Sequence, residues 1–155
     1  MNTNITKAWT IEIREAEVFA RCTNESLYQA YNRIDENPKG DALVIQDDDR
    51  GQFRVYFDNA IAGLNMMLAR RMGDPCYSHN CNEGGKTVIF NLFMHDNHDD
   101  AVLPVLISNC YDYMVKKVLE QWYHADYGSE LSRLEVLHCL HYRKYPVRRR
   151  IGPLF

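Results

Sequence analysis

The sequence predicts a mainly α fold of the α+β class: an antiparallel bundle of about four helices, one short strand or β-hairpin, and an extended basic C-terminal arm. Three observations lead there. Apolar residues recur three and four apart through several long stretches, the period of a helix buried along one face. The run TVIFNLFM at 87–94 alternates instead, as a strand does. Residues 143–155, RKYPVRRRIGPLF, carry five bases, no acid and two prolines. The division is therefore a helical domain over 1–142, with a strand insertion at 86–94, followed by an arm over 143–155.

Residues 8–13, AWTIEI, alternate apolar and polar, but Val18, Phe19 and Cys22 continue at helical spacing. A first helix from about Thr10 to Arg33 is expected, with TNES at 23–26 as a point of interruption. DENPKGD at 35–41 is turn chemistry, and ALVI at 42–45 reads as a short strand or a docked loop.

The second helix is the clearest element. Phe53, Phe57, Ala60, Ile61, Leu64, Met67 and Leu68 share one face, and the span is expected at 48–72. Asp47, Asp48 and Asp49 stand where a helix N-terminus favours negative charge. Arg70 and Arg71 stand where the C-terminus favours positive charge, and Gly73 offers a left-handed cap.

After a turn at 73–75, CYSHNCNEGGK reads as a polar loop leading into the strand. There Val88, Phe90, Leu92 and Met94 share one face and Thr87, Ile89, Asn91 and Phe93 the other, so both faces carry bulk. Helices are expected on one side and a partner subunit on the other.

HDNHDD at 95–100 is expected to cap a third helix from about Asp100 to Ala125. Its buried stripe is Leu103, Leu106, Ile107, Cys110, Met114, Val118 and Trp122, and Pro104 is tolerated in the first turn. DYGS at 126–129 turns the chain, Ser129 offers a cap, and Leu131, Leu134, Leu137 and Leu140 carry a fourth helix to about Tyr142. So short a turn predicts antiparallel packing of the last two helices.

The 155 residues suffice for one domain that buries roughly 70% of its unfolded surface without a disulfide or metal staple. Forty-six per cent apolar and 25% charged residues, with eight Gly and five Pro, exclude a disordered or fibrous chain. No stretch approaches the roughly 18–20 apolar residues of a spanning helix, and the polar N-terminus is unlike an export signal, so no membrane role is expected. The five cysteines are odd in number and scattered, which predicts reduced thiols in a cytosolic setting; only Cys76 and Cys81 are close enough in sequence to invite a bridge.

The net charge of −3 comes from 18 bases and 21 acids and excludes a globally basic coat for nucleic acid or membrane. The arm holds five of the bases (Arg143, Lys144, Arg148, Arg149 and Arg150), which leaves 13 against 21 acids on residues 1–142, a net of −8.

Zinc is suggested only by Cys76, His79 and Cys81 with His95 and His98, and the spacing departs from paired ligands two to four residues apart. A polar loop with neutral thiols is the simpler reading. His138 and His141 lie three apart on one helix face, with Cys139 turned away, and two ligands do not make a site; that face is expected to pack beside Tyr142. GxSxG, Walker, HExxH and GxGxxG motifs do not occur, and helix capping explains Asp47–Asp49 better than an EF-hand loop. No enzyme, cofactor or metal is expected. Trp122 is expected in the core, whereas Trp9, Tyr28, Tyr31 and Tyr77 are expected to reach an interface.

The arm reads as a phosphate clamp or as a peptide docked on an acidic neighbour. Ile151, Leu154 and Phe155 favour docking, because phosphate binding leaves these apolar anchors without a role. The candidate interface is therefore Arg143, Lys144, Tyr145, Arg148, Arg149, Arg150, Ile151, Leu154 and Phe155.

Several positions together carry a family resemblance. They are TIEI at 10–13, Asp48-Asp49-Arg50 before Phe53, Phe57 and Ala60, the alternating strand at 87–94, Trp122 late in its helix, and YRKYPVRR at 142–149. In this layout the chain resembles the small virion neck proteins of tailed phages and prophages, of the head-tail connector or adaptor type; the segment with Cys76, His79 and Cys81 departs from their pattern. The resemblance implies a non-enzymatic structural subunit that assembles into an oligomeric ring with copies of itself. It also implies portal, neck or tail proteins as partners, proximity to DNA in the neck channel, and a place in the virion after assembly in the host cytoplasm. The competing expectation is a small nucleic-acid-binding or regulatory protein that uses the arm on phosphates.

Overall fold

A computed structural model describes residues 6–32, 44–81 and 85–143. The elements run β1 (Thr6–Arg14), α1 (Glu15–Asn32), α2 (Arg50–Leu68), β2 (Tyr77–Cys81), β3 (Gly85–His95), α3 (Val102–Tyr123) and α4 (Ser129–His141), with single 3-10 turns at Asp47–Asp49 and Ala69–Arg71. The protein is mainly helical, as expected, with a small antiparallel sheet in the order β1-β3-β2. The sheet is larger than the single strand or hairpin read from the sequence.

The first correction concerns residues 6–14. The alternation of AWTIEI is that of a strand, and the helix begins only at Glu15. Trp9 faces Leu92, Ile11 faces Phe90 and Ile13 faces Val88 across the ladder. All six side chains are buried on the helix-covered side of the sheet. Strand pairing with β3, eighty residues away, decides the conformation where the local pattern allowed either period.

The junction of strand and helix is held by one carboxylate. Glu15 is buried and accepts hydrogen bonds from Arg54 Nε at 3.0 Å and from the Lys86 backbone N–H at 2.9 Å. Gly85, at φ +135°, makes room for it, since a Cβ there would lie 1.7 Å from Glu15 Oε2. On the free edge of β1, the Tyr111 hydroxyl donates to the Glu12 carbonyl and accepts from the Arg14 N–H, both at 3.0 Å. An open strand edge is thereby closed at one end by a side chain of α3.

TNES does not interrupt α1. Ser26 donates to the Thr23 carbonyl at 2.9 Å within the helix and accepts from the Ile45 N–H at 3.0 Å, which docks the buried Ile45 against it. The turn expected at 35–41 lies outside the described residues. The apolar face of α2 is largely as expected, with Phe53, Phe57, Ala60, Leu64 and Leu68 buried. Its end is not a glycine cap: the helix tightens into a 3-10 turn, Met72 is extended, and Gly73 instead lets the Phe93 ring approach to where a Cβ would meet it at 2.8 Å.

The segment expected as a polar loop contains the edge strand β2, paired to β3 from Tyr77↔Ile89 to Cys81↔Gly85. α3 buries Leu106, Cys110, Met114 and Val118 as expected, adds Tyr111, Tyr113 and Leu119, and leaves Trp122 half-buried against Tyr56. Asp100 does not cap α3: it accepts from Trp9 Nε1 at 3.0 Å and Lys7 Nζ at 3.2 Å, tying the start of β1 to the loop before the helix. Ser129 does not cap α4 either, because its hydroxyl bonds the Glu120 carboxylate, and Gly128 at φ +84° supplies the turn. α3 packs against α1, α2 and α4, and so forms the centre of the helical layer over the sheet.

Candidate assembly interface

Assembly surfaces are built where apolar side chains remain uncovered after the core is complete, so the exposed residues of each element come first. On α4 the structure divides the four leucines that carry the pattern. Leu131 and Leu134 are 60% and 50% exposed and Leu137 is half-buried, while Ser132, Val136, Cys139 and Leu140 face the core. Leucines three apart retreat by about 60° around a helix at each step, so four of them span about half its circumference and cannot all face inward. Lys116 Nζ donating to Ser132 at 3.0 Å and Asn109 Nδ2 donating to Cys139 Sγ at 3.4 Å seat the inner face on α3. His138 and His141 are exposed rather than packed beside Tyr142.

Between α2 and α4 runs a groove of about 790 Å³. Met66, Met67, Leu137 and Tyr113 supply its apolar surface, and Arg70, Arg71, Arg133 and His141 stand around it without a single acid. Arg71 donates to the Leu140 carbonyl at 3.2 Å, which positions the guanidinium without neutralising it. Arg133 is paired with Glu130 and its charge is partly spent there. Met66, at 80% exposure, is among the most open apolar side chains described.

A second uncovered region lies on the C-terminal half of α1, where Leu27, Tyr28 and Tyr31 are exposed. Of the aromatics expected at an interface, Tyr28, Tyr31 and Tyr77 are on the surface, whereas Trp9 is buried beneath the Asp100 bond with its ring edge-on to His98 at 6.0 Å.

The outer face of the sheet is only partly open. Thr87 and Ile89 are buried although they point away from the helices, because Tyr77 and His79 of β2 and Glu12 and Arg14 of β1 flank them across the ladders. Pairing with β2 ends at the Tyr77↔Ile89 pair, and beyond it on β3 Asn91 and Phe93 are exposed.

Of the nine residues assigned to the basic arm, Arg143 alone is described, and it is half-buried. Lys144, Tyr145, Arg148, Arg149, Arg150, Ile151, Leu154 and Phe155 lie outside the described residues. Burial holds the His98 imidazole below its ordinary pKa, Arg71, Arg143 and His95 push in the same direction, and the Tyr142 backbone pulls the other way. Neither ring nitrogen reaches hydrogen-bond geometry, so the Tyr142 contact is a weak one.

Three of the described thiols, Cys22, Cys110 and Cys139, are buried. Cys22, Cys76, Cys110 and Cys139 are free, which removes Cys76 as half of a bridge with Cys81. Burial pushes Cys22 and Cys110 up to about 12, far from thiolate at neutral pH. His95 is exposed and accepts from the Asn97 N–H, while His98 is turned inward. Among the described residues no three His, Cys, Asp or Glu converge as a metal-binding group, and no helix is long and apolar enough to cross a membrane. No protein-family model, curated protein or solved structure matches this chain.

Proposed function

We propose that this protein is a structural subunit of a tailed-phage virion that acts by assembling into an oligomeric ring of the head-tail connector, neck or tail, without catalysis. The observation that carries the reading is the surplus of exposed apolar side chains on the helical layer. Tyr28 and Tyr31 on α1, Met66 on α2 and Leu131 and Leu134 on α4 remain open after a continuous core has closed around Phe57, Phe90 and Met114. Such surplus marks surfaces made to be covered. The acidic body and the basic residues 143–155 add the polarity that repeating contacts around a ring require.

The test is quantitative mass spectrometry of virions produced from the genome that encodes the chain. The expected result is a copy number that matches one ring per particle, and its absence from purified particles overturns the reading. Deleting residues 143–155 is expected to block joining of heads to tails.

A second reading, phosphate binding by the basic tail, is favoured by Arg71 and Arg143, which both act on His98, and by Arg70 beside Arg71 in the groove. Salt-titrated DNA binding separates the two: a clamp of five or more bases loses affinity steeply with salt, and an assembly arm shows little binding at any salt.

A further inference from the structure

The two apolar regions of the helical layer differ in charge as well as in place. The α2–α4 groove is lined by three arginines and no acid; Arg133 is paired with Glu130 beside it, which leaves Arg70 and Arg71 to set its charge. Around the exposed end of α1 the balance is reversed. Leu27 shares a surface depression with Asp47 and Asp48, and Tyr28 shares one with Glu25 and Asp112. The three bases in that area are engaged locally: Arg21 bonds Glu17 at 2.8 Å and stacks over the Tyr111 ring, Lys116 bonds Ser132, and Arg50 pairs with Asp47 at 3.3 Å and stacks over the Phe19 ring. α3 packs against both α1 and α4, and the depressions beside Leu27 and Tyr28 share no lining residue with the groove, so the two regions are separate surfaces of one molecule.

We infer that a second copy of this chain docks the C-terminal half of its α1 into the α2–α4 groove, with Tyr28 and Tyr31 as anchors. Two complementary features point to this occupant. The groove offers Met66 and Met67, side chains that adapt to an inserted ring, and α1 offers two rigid aromatic side chains that stand out from its surface. The rim of Arg70 and Arg71 meets Glu25 and Asp48 of the incoming copy, on a body whose net charge of −8 leaves the groove as a basic island.

The contact is heterologous, one surface on one copy and a different surface on the next. Repetition leads to a closed ring or an open filament and not to a sealed dimer. This deepens the ring reading, on which its place in a virion rests, by assigning the two surfaces that repeat.

The experiment is sedimentation of the full chain and of two surface variants, each checked for wild-type circular dichroism and thermal midpoint. The groove variant is Met66→Glu with Arg70→Glu, and the anchor variant is Tyr28→Arg with Tyr31→Arg. All four side chains are exposed, so folding is expected to survive. The wild type is expected to gain mass with concentration up to about 0.5 mM, the range in which weak self-contacts populate. Each variant alone is expected to stay monomeric. An equimolar mixture is expected to form a one-to-one dimer and nothing larger, because each variant retains the surface that the other lacks.

A wild type that remains monomeric throughout overturns the self-contact. Association of either variant alone, or a mixture that stays monomeric beside an associating wild type, overturns the assignment of surfaces. Virion copy number is a separate measurement: a chain present at ring number but monomeric by itself removes this inference and leaves the ring reading standing.

Discussion

The inner face of the sheet and the outer face of α4 both carry large apolar side chains at regular spacing, yet only the first is covered. Phe90, Leu92, Ile11 and Ile13 have no measurable exposure, and Glu15, Asp100 and the Tyr111 hydroxyl hold the strands with directed bonds. Leu131 and Leu134 face solvent at half or more of their surface, and α4 is seated instead through Val136, Leu140 and small residues such as Ser132 and Cys139. The sheet side stabilises the fold. The α4 side and its groove with α2 leave surface for a partner.

Core truncation should separate the two regions most widely. Phe90→Ala is expected to destabilise by about 3–5 kcal/mol, because it opens a cavity in the core that the sheet shares with the helices, read as a fall in the urea midpoint. A stability loss below about 1 kcal/mol would show that the sheet face is not the packed region it appears from burial.

The next effect tests the polar clasp. Gly85→Ala is expected to cost about 3 kcal/mol, because its φ of +135° is strained for any side chain and the new Cβ falls on the Glu15 carboxylate. The same substitution made in a Glu15→Ala background should cost less, since the collision is gone and only the backbone strain remains. Equal costs in both backgrounds would separate the glycine from the carboxylate.

A smaller effect, confined to acid, is expected at His98. His98 titrates below its ordinary value of 6.5 in the folded protein, so the unfolded chain binds the proton first as pH falls. Stability should therefore be unaffected by this group above about pH 6.5 and should decline below it, down to the folded pKa. Denaturation midpoints measured between pH 7.5 and 5, for wild type and His98→Asn, are expected to show that decline blunted in the variant. Parallel curves would mean that His98 does not carry it.

The smallest effect is on α4 itself. Leu131→Ala and Leu134→Ala are each expected to change stability by less than about 0.5 kcal/mol, since neither side chain leaves water on folding to the extent of a core leucine. Leu140→Ala, one turn and a half further on and buried, should cost about 2–5 kcal/mol, so a matched pair of leucines reports the orientation of the helix.

The legible parts of the fold are those where one period holds over many residues. Phe53, Phe57, Ala60, Leu64 and Leu68 return to one side of α2 at steps of three or four, and the spacing leaves little choice of face. Val88, Phe90, Leu92 and Met94 do the same with a period of two, and all four are buried. The candidate site was less legible. Arg70 and Arg71 were visible as helix-end charges, but their convergence with Met66, Arg133 and His141 needs two helices brought side by side.

The sequence by itself determined the mainly helical character, the long helices α2 and α3, the inner face of β3 and the split between an acidic body and a basic arm, because each follows from local periodicity or from counting charge. Tertiary structure alone decided that residues 6–14 are a strand, that Glu15 lies over Gly85, and which side of α4 faces the core. The physical reason is the same in each case. A short segment whose pattern suits two conformations or two faces takes the one in which a distant partner completes its hydrogen bonds or fills its surface, as β3 does for β1 and α3 for α4.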